Sequence, residues 1–155
     1  MHILIRPVEE RDIPALASIR ARRQGTDSFW KERIARYLRG DYSPQQALPA
    51  RTVFVAEEGG VVIGFAAGHK TRRLECDGEL QWIDVAEEYR RHGVAAQLIA
   101  AVGNWFVEQK ALRICVNVDP CNLPARQFYT KHGAVELNDQ WMVWEDVQSM
   151  RIPSS

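Results

Sequence analysis

The sequence predicts an α/β protein: one mixed sheet with helices on both faces. Three observations predict it. Short apolar, β-branched runs alternate with amphipathic helical patterns, and no repeat or low-complexity segment interrupts them. One apolar run, Leu80 to Val85, leads through a short basic loop into a long amphipathic helical pattern starting near Gly93. The 155 residues suit a single core. One domain is expected over residues 1–150, with 151–155 as a C-terminal tail.

The elements follow in order. His2 to Val8 reads as a first strand. Asp12 is placed to cap a helix running to about Gln24, with Ile13, Leu16, Ala17 and Ile19 facing inward. A second helix is expected from Ser28 to Arg39, because Trp30, Ile34, Tyr37 and Leu38 recur at i, i+4, i+7, i+8. Gly40-Asp41-Tyr42-Ser43-Pro44 stops it, and the segment to Ala50 reads as loop. Thr52 to Glu57 and Val61 to Lys70 read as strands joined at Glu58-Gly59-Gly60, a hairpin signal. Glu79 to Val85 is a fourth strand. Gly93 to Gln109 is a long helix, with Val94, Leu98, Val102 and Phe106 in one row and Ile99 beside it. In a fifth strand, Leu112 to Val118, residues Leu112, Ile114, Val116 and Val118 should share a face. A short helix runs from its cap Asn122 to a stop at Gly133. Val135 to Leu137 and Gln140 to Val147 close the sheet.

Composition narrows the partners. Lys plus Arg and Asp plus Glu balance at 20 each, so there is no electrostatic case for nucleic acid or an anionic membrane as main partner. No apolar run is long enough to span a bilayer. Met1-His2-Ile3-Leu4-Ile5-Arg6-Pro7 lacks a signal-peptide layout, so a cytoplasmic protein is expected. Cys76, Cys115 and Cys121 are odd in number and form no Cys-x-x-Cys, which fits a reducing compartment and argues against zinc. His2, His69, His92 and His132 show no ligand spacing either. No metal is expected.

Two motifs carry chemistry. The first is Tyr89-Arg90-Arg91-His92-Gly93-Val94-Ala95, at the strand-to-helix junction. The first amides of a helix have no intrahelical partner, and the helix dipole adds partial positive charge there. Gly93 lets a ligand approach the backbone, Ala95 keeps the next turn small, and Arg90 and Arg91 add formal charge. A diphosphate suits such a place. The spacing is neither that of the phosphate loop ending in Gly-Lys-Ser/Thr nor Gly-x-Gly-x-x-Gly. The second motif is Asn122-Leu123-Pro124-Ala125-Arg126-Gln127-Phe128-Tyr129-Thr130-Lys131-His132-Gly133. Ala125, Phe128 and Tyr129 fall on one helix face, and Pro124 sits in the first turn. Read alone, these are a basic turn and a well-capped surface helix.

Together, in this order, they resemble the two coenzyme A-binding motifs of the GNAT N-acetyltransferase superfamily. Arg90-x-x-Gly93-x-Ala95 is similar to the diphosphate loop Gln/Arg-x-x-Gly-x-Gly/Ala, and the Asn122 helix to the second coenzyme-binding helix. The resemblance covers nearly the whole chain and implies the GNAT fold. It implies acetyl-coenzyme A as cosubstrate and acyl transfer to an amine. It places Val85, Arg90, Arg91, His92, Gly93, Val94, Ala95, Asn122, Ala125, Phe128 and Tyr129 against the coenzyme. Asn122 either holds the pantetheine arm or caps its helix, or does both.

Such a reaction needs a proton acceptor for the amine, a donor for the thioester oxygen and a proton for the departing sulfur. Glu79 matches the strand glutamate that serves as base in some GNAT enzymes. The other reading is a solvated strand-edge carboxylate, with Asp84, Glu75 or a water chain as rivals. Alternation puts Glu79, Gln81, Ile83 and Val85 on one face unless a bulge intervenes, and the resemblance implies a bulge in this strand. Asn117 stands where another GNAT subset keeps its base, and it cannot act as one. The Val85 N–H is the implied oxyanion donor. Tyr129 is the implied acid for the thiolate, the alternative being an aromatic packed beside Phe128. Cys121 at the helix mouth is a conceivable nucleophile, though no histidine is placed to activate it.

The acceptor site is expected among Phe29, Trp30, Tyr37, Trp141 and Trp144, with Glu32 and Asp41 as partners for a cation, although Trp30 and Tyr37 also suit a core. The acceptor is a small-molecule or protein amine, and a homodimer is left open. Two functions stand: an N-acetyltransferase working by direct transfer in a ternary complex, and a catalytically silent acyl-coenzyme A-binding sensor or interaction module.

Overall fold

The computed structural model describes residues 2–151. Its sheet holds seven strands: β1 (Leu4–Pro7), β2 (Ala47–Glu58), β3 (Val61–Thr71), β4 (Gly78–Val85), β5 (Ile114–Asn117), β6 (Val135–Asn138) and β7 (Trp141–Trp144). Their order is β1-β2-β3-β4-β5-β7-β6. Only β4 and β5 run parallel; the other neighbours are antiparallel. The helices are α1 (Ile13–Ala21), α2 (Asp27–Arg39), α3 (Val94–Glu108), α4 (Leu123–Lys131) and α5 (Gln148–Arg151).

The α3 row packs as its spacing predicts. Val94, Leu98, Ile99, Val102 and Phe106 are buried with Ile63, Ala66 and Leu80. Each such side chain contributes roughly 1.5–3 kcal/mol relative to exposure. Gly78 lets Phe106 close on the sheet, since a Cβ there would lie 2.4 Å from the Phe106 ring. On the opposite face α1 and α2 bury Leu16, Ala17, Trp30, Ile34 and Tyr37 against Val53, Val55, Phe65 and Trp82.

Several expectations are corrected. Asp12 precedes α1 but makes no side-chain cap. Its carboxylate instead accepts from both Arg6 terminal nitrogens, at 2.8 and 2.9 Å, and from the Glu9 N–H. Charge-assisted bonds outcompete a neutral cap. Ile19 is only half-buried, and Leu112 is exposed because β5 starts two residues after it. β2 starts at Ala47, inside the expected loop. Pro49 is tolerated there because β1 pairs only with the later part of β2, leaving that side of the strand as an edge. β7 stops at Trp144, and an unexpected helix, α5, follows. Asp146 takes the Gln148 N–H, and Met150 packs buried beside Gly103 of α3. Arg151 ends α5, and the rest of the expected tail lies outside the described residues.

The correction that matters most is in β4. Ala67 pairs with Trp82 but Gly68 pairs with Leu80, so Gln81 is bulged out of register. One extra residue reverses the alternation. Leu80, Ile83 and Val85 therefore pack with the α3 side, while Trp82 packs with α1 and α2. Glu79 does not share a face with Ile83 and Val85, contrary to simple alternation. It lies toward α2, beside His69.

Candidate active site

Pairing between β4 and β5 ends at Leu80 and Val116, yet β4 runs on to Val85. Beyond that point β5 follows β7 and β4 follows β3, so the two strands diverge. The bulge at Gln81 sits where they part. A cleft of about 1120 Å³ opens there, floored by β4 and β5 and flanked by α3, α4 and the end of α1.

The backbone of β4 faces this cleft with free donors. The Ala86 N–H donates to the Ile63 carbonyl, across to β3. By alternation the N–H groups of Val85 and Ile83 point the other way, toward the side β5 has left. Ile83 was not singled out in the sequence. Its signal was the same strand period, read two residues earlier.

The basic loop forms one end of the cleft. A 3-10 turn over Glu87–Tyr89 leads into it, and the Arg90 side chain donates to the Val85 carbonyl. Arg91 and Gly93 both take left-handed conformations, with φ of 67° and 78°. Left-handed residues in such a turn can aim successive amides toward a common point, as in anion-binding concavities. The first bond of this helix is Gln97 N–H to Gly93 carbonyl, so the amides of Gly93, Val94, Ala95 and Ala96 carry no helical partner. A Cβ at Gly93 would meet nothing within 4 Å. The demand for glycine there is conformational. Arg90, Arg91, Gly93, Val94 and Ala95 line the cleft; His92 is not among its lining residues.

α4 forms the opposite wall. Its cap is as the sequence predicts, since the Asn122 side chain accepts from the Ala125 N–H. Asn122, Ala125, Phe128 and Tyr129 all line the cleft. Tyr129 is 7% exposed, edge-on to Trp144 and Phe128. Burial pushes its phenol well above the usual range, and Asp84 adds to this while Arg23 and Arg20 oppose it. Cys121 lines the cleft and is exposed, with its own N–H on the Asp119 carboxylate.

Glu79 is placed differently. It lies in the closed part of the sheet, paired in register with both His69 and Cys115, and it does not line the cleft. Leu80, the next residue, is the first of β4 to do so. The Glu79 side chain is buried, with its Oε1 3.5 Å from His69 Nε2 and 3.6 Å from Arg73 Nε. Neither Oε1 nor His69 Nε2 makes a hydrogen bond among the described residues. The other ring nitrogen, His69 Nδ1, bonds the Tyr37 hydroxyl at 2.9 Å.

The carboxylate that does line the cleft is Asp84. Its side chain is 1% exposed and holds Arg20 Nη1 at 2.8 Å and Arg23 Nε at 2.9 Å. Burial raises its pKa; the two arginines pull it back. Arg20 and Arg23 line the cleft too, and nothing local in the sequence marked them, because 64 residues separate Arg20 from Asp84.

The expected cation site is not assembled. Trp30, Tyr37 and Trp144 are core residues, Asp41 is paired with Arg39, and Glu32 is exposed. Phe29 and Trp141 are already covered by the chain's own Arg33 and Arg73. Among the described residues, no group of three or more His, Cys, Asp or Glu side chains could hold a metal, and no helix is long and apolar enough to cross a membrane.

A family model of the GNAT acetyltransferases matches residues 22–134. No curated protein matches the sequence. The fold is similar to that of a GNAT-family protein from Desulfovibrio desulfuricans, with TM-score 0.76 and 17% identity over 94% of this chain and 99% of that one. It is also similar to the PaiA N-acetyltransferase of Thermoplasma acidophilum in complex with coenzyme A, with TM-score 0.68 and 16% identity over 92% and 98%. A ribosomal-protein-alanine N-acetyltransferase from Brucella melitensis gives TM-score 0.68 and 21% identity over 90% and 98%. At these identities the likeness is one of fold.

Proposed function

This chain belongs to the GNAT acetyltransferase family, and from that premise we propose that it moves the acetyl group of acetyl-coenzyme A to a primary amine by direct transfer in a ternary complex. One observation carries the reading: the parting of β4 from β5 beside a loop of unpartnered amides. The loop suits the coenzyme diphosphate, with Arg90 and Arg91 adding charge. The open edge of β4 suits an extended, amide-bearing arm, which replaces the missing strand. The solved relative in complex with coenzyme A supports the choice of ligand.

The chemistry follows from the cleft. A thioester beside Ile83 and Val85 would meet their N–H groups where negative charge develops on oxygen. The amine attacks the thioester carbon, the C–S bond breaks, and sulfur leaves as a thiolate. Tyr129 is the donor to that sulfur. With its phenol raised by burial, it holds its proton at neutral pH and gives a charge-assisted hydrogen bond. Complete proton transfer follows only where the same burial raises the thiol as well. The amine, with an unperturbed pKa of about 10, must lose a proton. Asp84 holds two guanidinium groups at 2.8 and 2.9 Å, whereas Glu79 Oε1 has only the longer contacts to His69 and Arg73, at 3.5 and 3.6 Å. Glu79 is therefore the proposed base, reached from the cleft through water past Leu80 and Gln81.

Acetyl-coenzyme A should release free thiol with some amine in a broad panel. Tyr129→Phe should slow that release roughly 10- to 100-fold while coenzyme affinity, measured by calorimetry, stays within a few-fold. Equal loss of both would reject the acid role. Tight coenzyme binding with no thiol release across the panel would favour the silent binding module.

A further inference from the structure

The end of α1 presents a guanidinium group that its own fold leaves half used. Arg20 and Arg23 stand one turn apart and both reach the Asp84 carboxylate, which is buried under them. Arg23 Nε lies 2.9 Å from Asp84 Oδ1, an ion-pair contact without hydrogen-bond geometry. The two terminal nitrogens of Arg23 donate to no partner among the described residues, its side chain is 47% exposed, and it lines the cleft. A guanidinium drawn to Asp84 on its Nε side keeps its planar pair of terminal N–H donors free, and that pair can grip a carboxylate through two parallel bonds. Charge agrees with shape, since two cations face one anion and a unit of positive charge is left over.

The neighbouring aromatics point the same way. Trp30 lies under Arg20 at 4.9 Å, and Tyr42 lies under Arg33 at 4.0 Å. Faces that would attract a cationic ligand are already covered by the chain's own cations. At this end of the cleft the lining side chains are Arg20, Arg23 and Gln24.

We propose that Arg23, held by Asp84, binds a carboxylate on the acceptor, so that the acceptor class is amino acids and related amines carrying a free carboxylate. This rests on the acetyl-transfer reading above. The same fork could serve an anionic group of coenzyme A itself, and the test separates the two sources.

Matched acceptors are compared: the proteinogenic amino acids and their carboxamides, which keep the shape and lose the charge. The wild-type protein should favour the carboxylate at least tenfold in kcat/KM for its best acceptor. Arg23→Gln should bring the carboxylate down to the level of the carboxamide, with coenzyme A affinity by calorimetry within twofold of wild type. Arg23→Lys, which keeps charge without the fork, should retain a preference of only a few-fold, and circular dichroism checks that both variants fold. The proposal is overturned if wild type does not distinguish the pairs. It is also overturned if Arg23→Gln keeps the preference, or if it weakens coenzyme A instead. If neither series is acetylated but other amines release thiol, the proposal fails and acetyl transfer stands. If no amine releases thiol, both fail.

Discussion

Replacing Gly93 with aspartate should weaken coenzyme A binding roughly 30- to 100-fold in a protein that still folds. The loop is an anion site only if its amides converge, and the left-handed Arg91 and Gly93 are the residues that would turn them together. Aspartate tolerates that conformation better than most residues, so the substitution isolates charge. A carboxylate about 4 Å from a phosphate costs about 4 kcal/mol at an effective dielectric of ~20. Solvent exposure and salt reduce this to roughly 2–3 kcal/mol, and each ~1.4 kcal/mol is tenfold. Gly93→Ala provides the contrast. It has room for its methyl group, so its cost is the left-handed φ alone, about 1–2 kcal/mol of stability, with a smaller loss of affinity. Calorimetry with coenzyme A and thermal unfolding separate the two effects. Equal affinities for wild type and Gly93→Asp would remove the loop from the binding site.

The second large effect is expected at Glu79. Glu79→Gln keeps the size of the side chain and removes its basicity. It should lower kcat by about 10²–10⁴, the usual contribution of a general base, with coenzyme affinity unchanged. The deficit should shrink as pH rises toward the amine's own pKa of about 10, because more acceptor then arrives without its extra proton. A deficit flat across pH would point to packing beside His69 and Tyr37 rather than proton transfer. Asp84→Asn is the control. It should release the two arginines and raise KM for the acceptor without the same pH signature.

What the sequence disclosed was local. The basic loop and the Asn122 helix are set by residues within a turn or two of one another, and the form of both was legible, down to the Asn122 cap. The long α3 row was legible because its period extends over four turns. Plain alternation puts Glu79 on the face of Ile83 and Val85, but a single bulge at Gln81 inverts every later residue of β4; no residue in Glu79-Leu80-Gln81-Trp82 announces it, and only the family resemblance implied it. His69 opposite Glu79, and Arg20 and Arg23 on Asp84, join residues far apart in the chain. No periodicity reports such contacts. The start of β2 was missed because Pro49 reads as a breaker until one knows that the strand has a free edge there. α5 was missed because four residues are too few to carry a helical period.

One titration bears on the whole account. Coenzyme A and free pantetheine, which lacks the diphosphate, are titrated separately into the protein in a calorimeter. Coenzyme A should bind measurably and pantetheine at least tenfold more weakly, because the amides of Gly93 to Ala96 hold the part that pantetheine lacks. No heat with coenzyme A, or equal affinity for both, would contradict it.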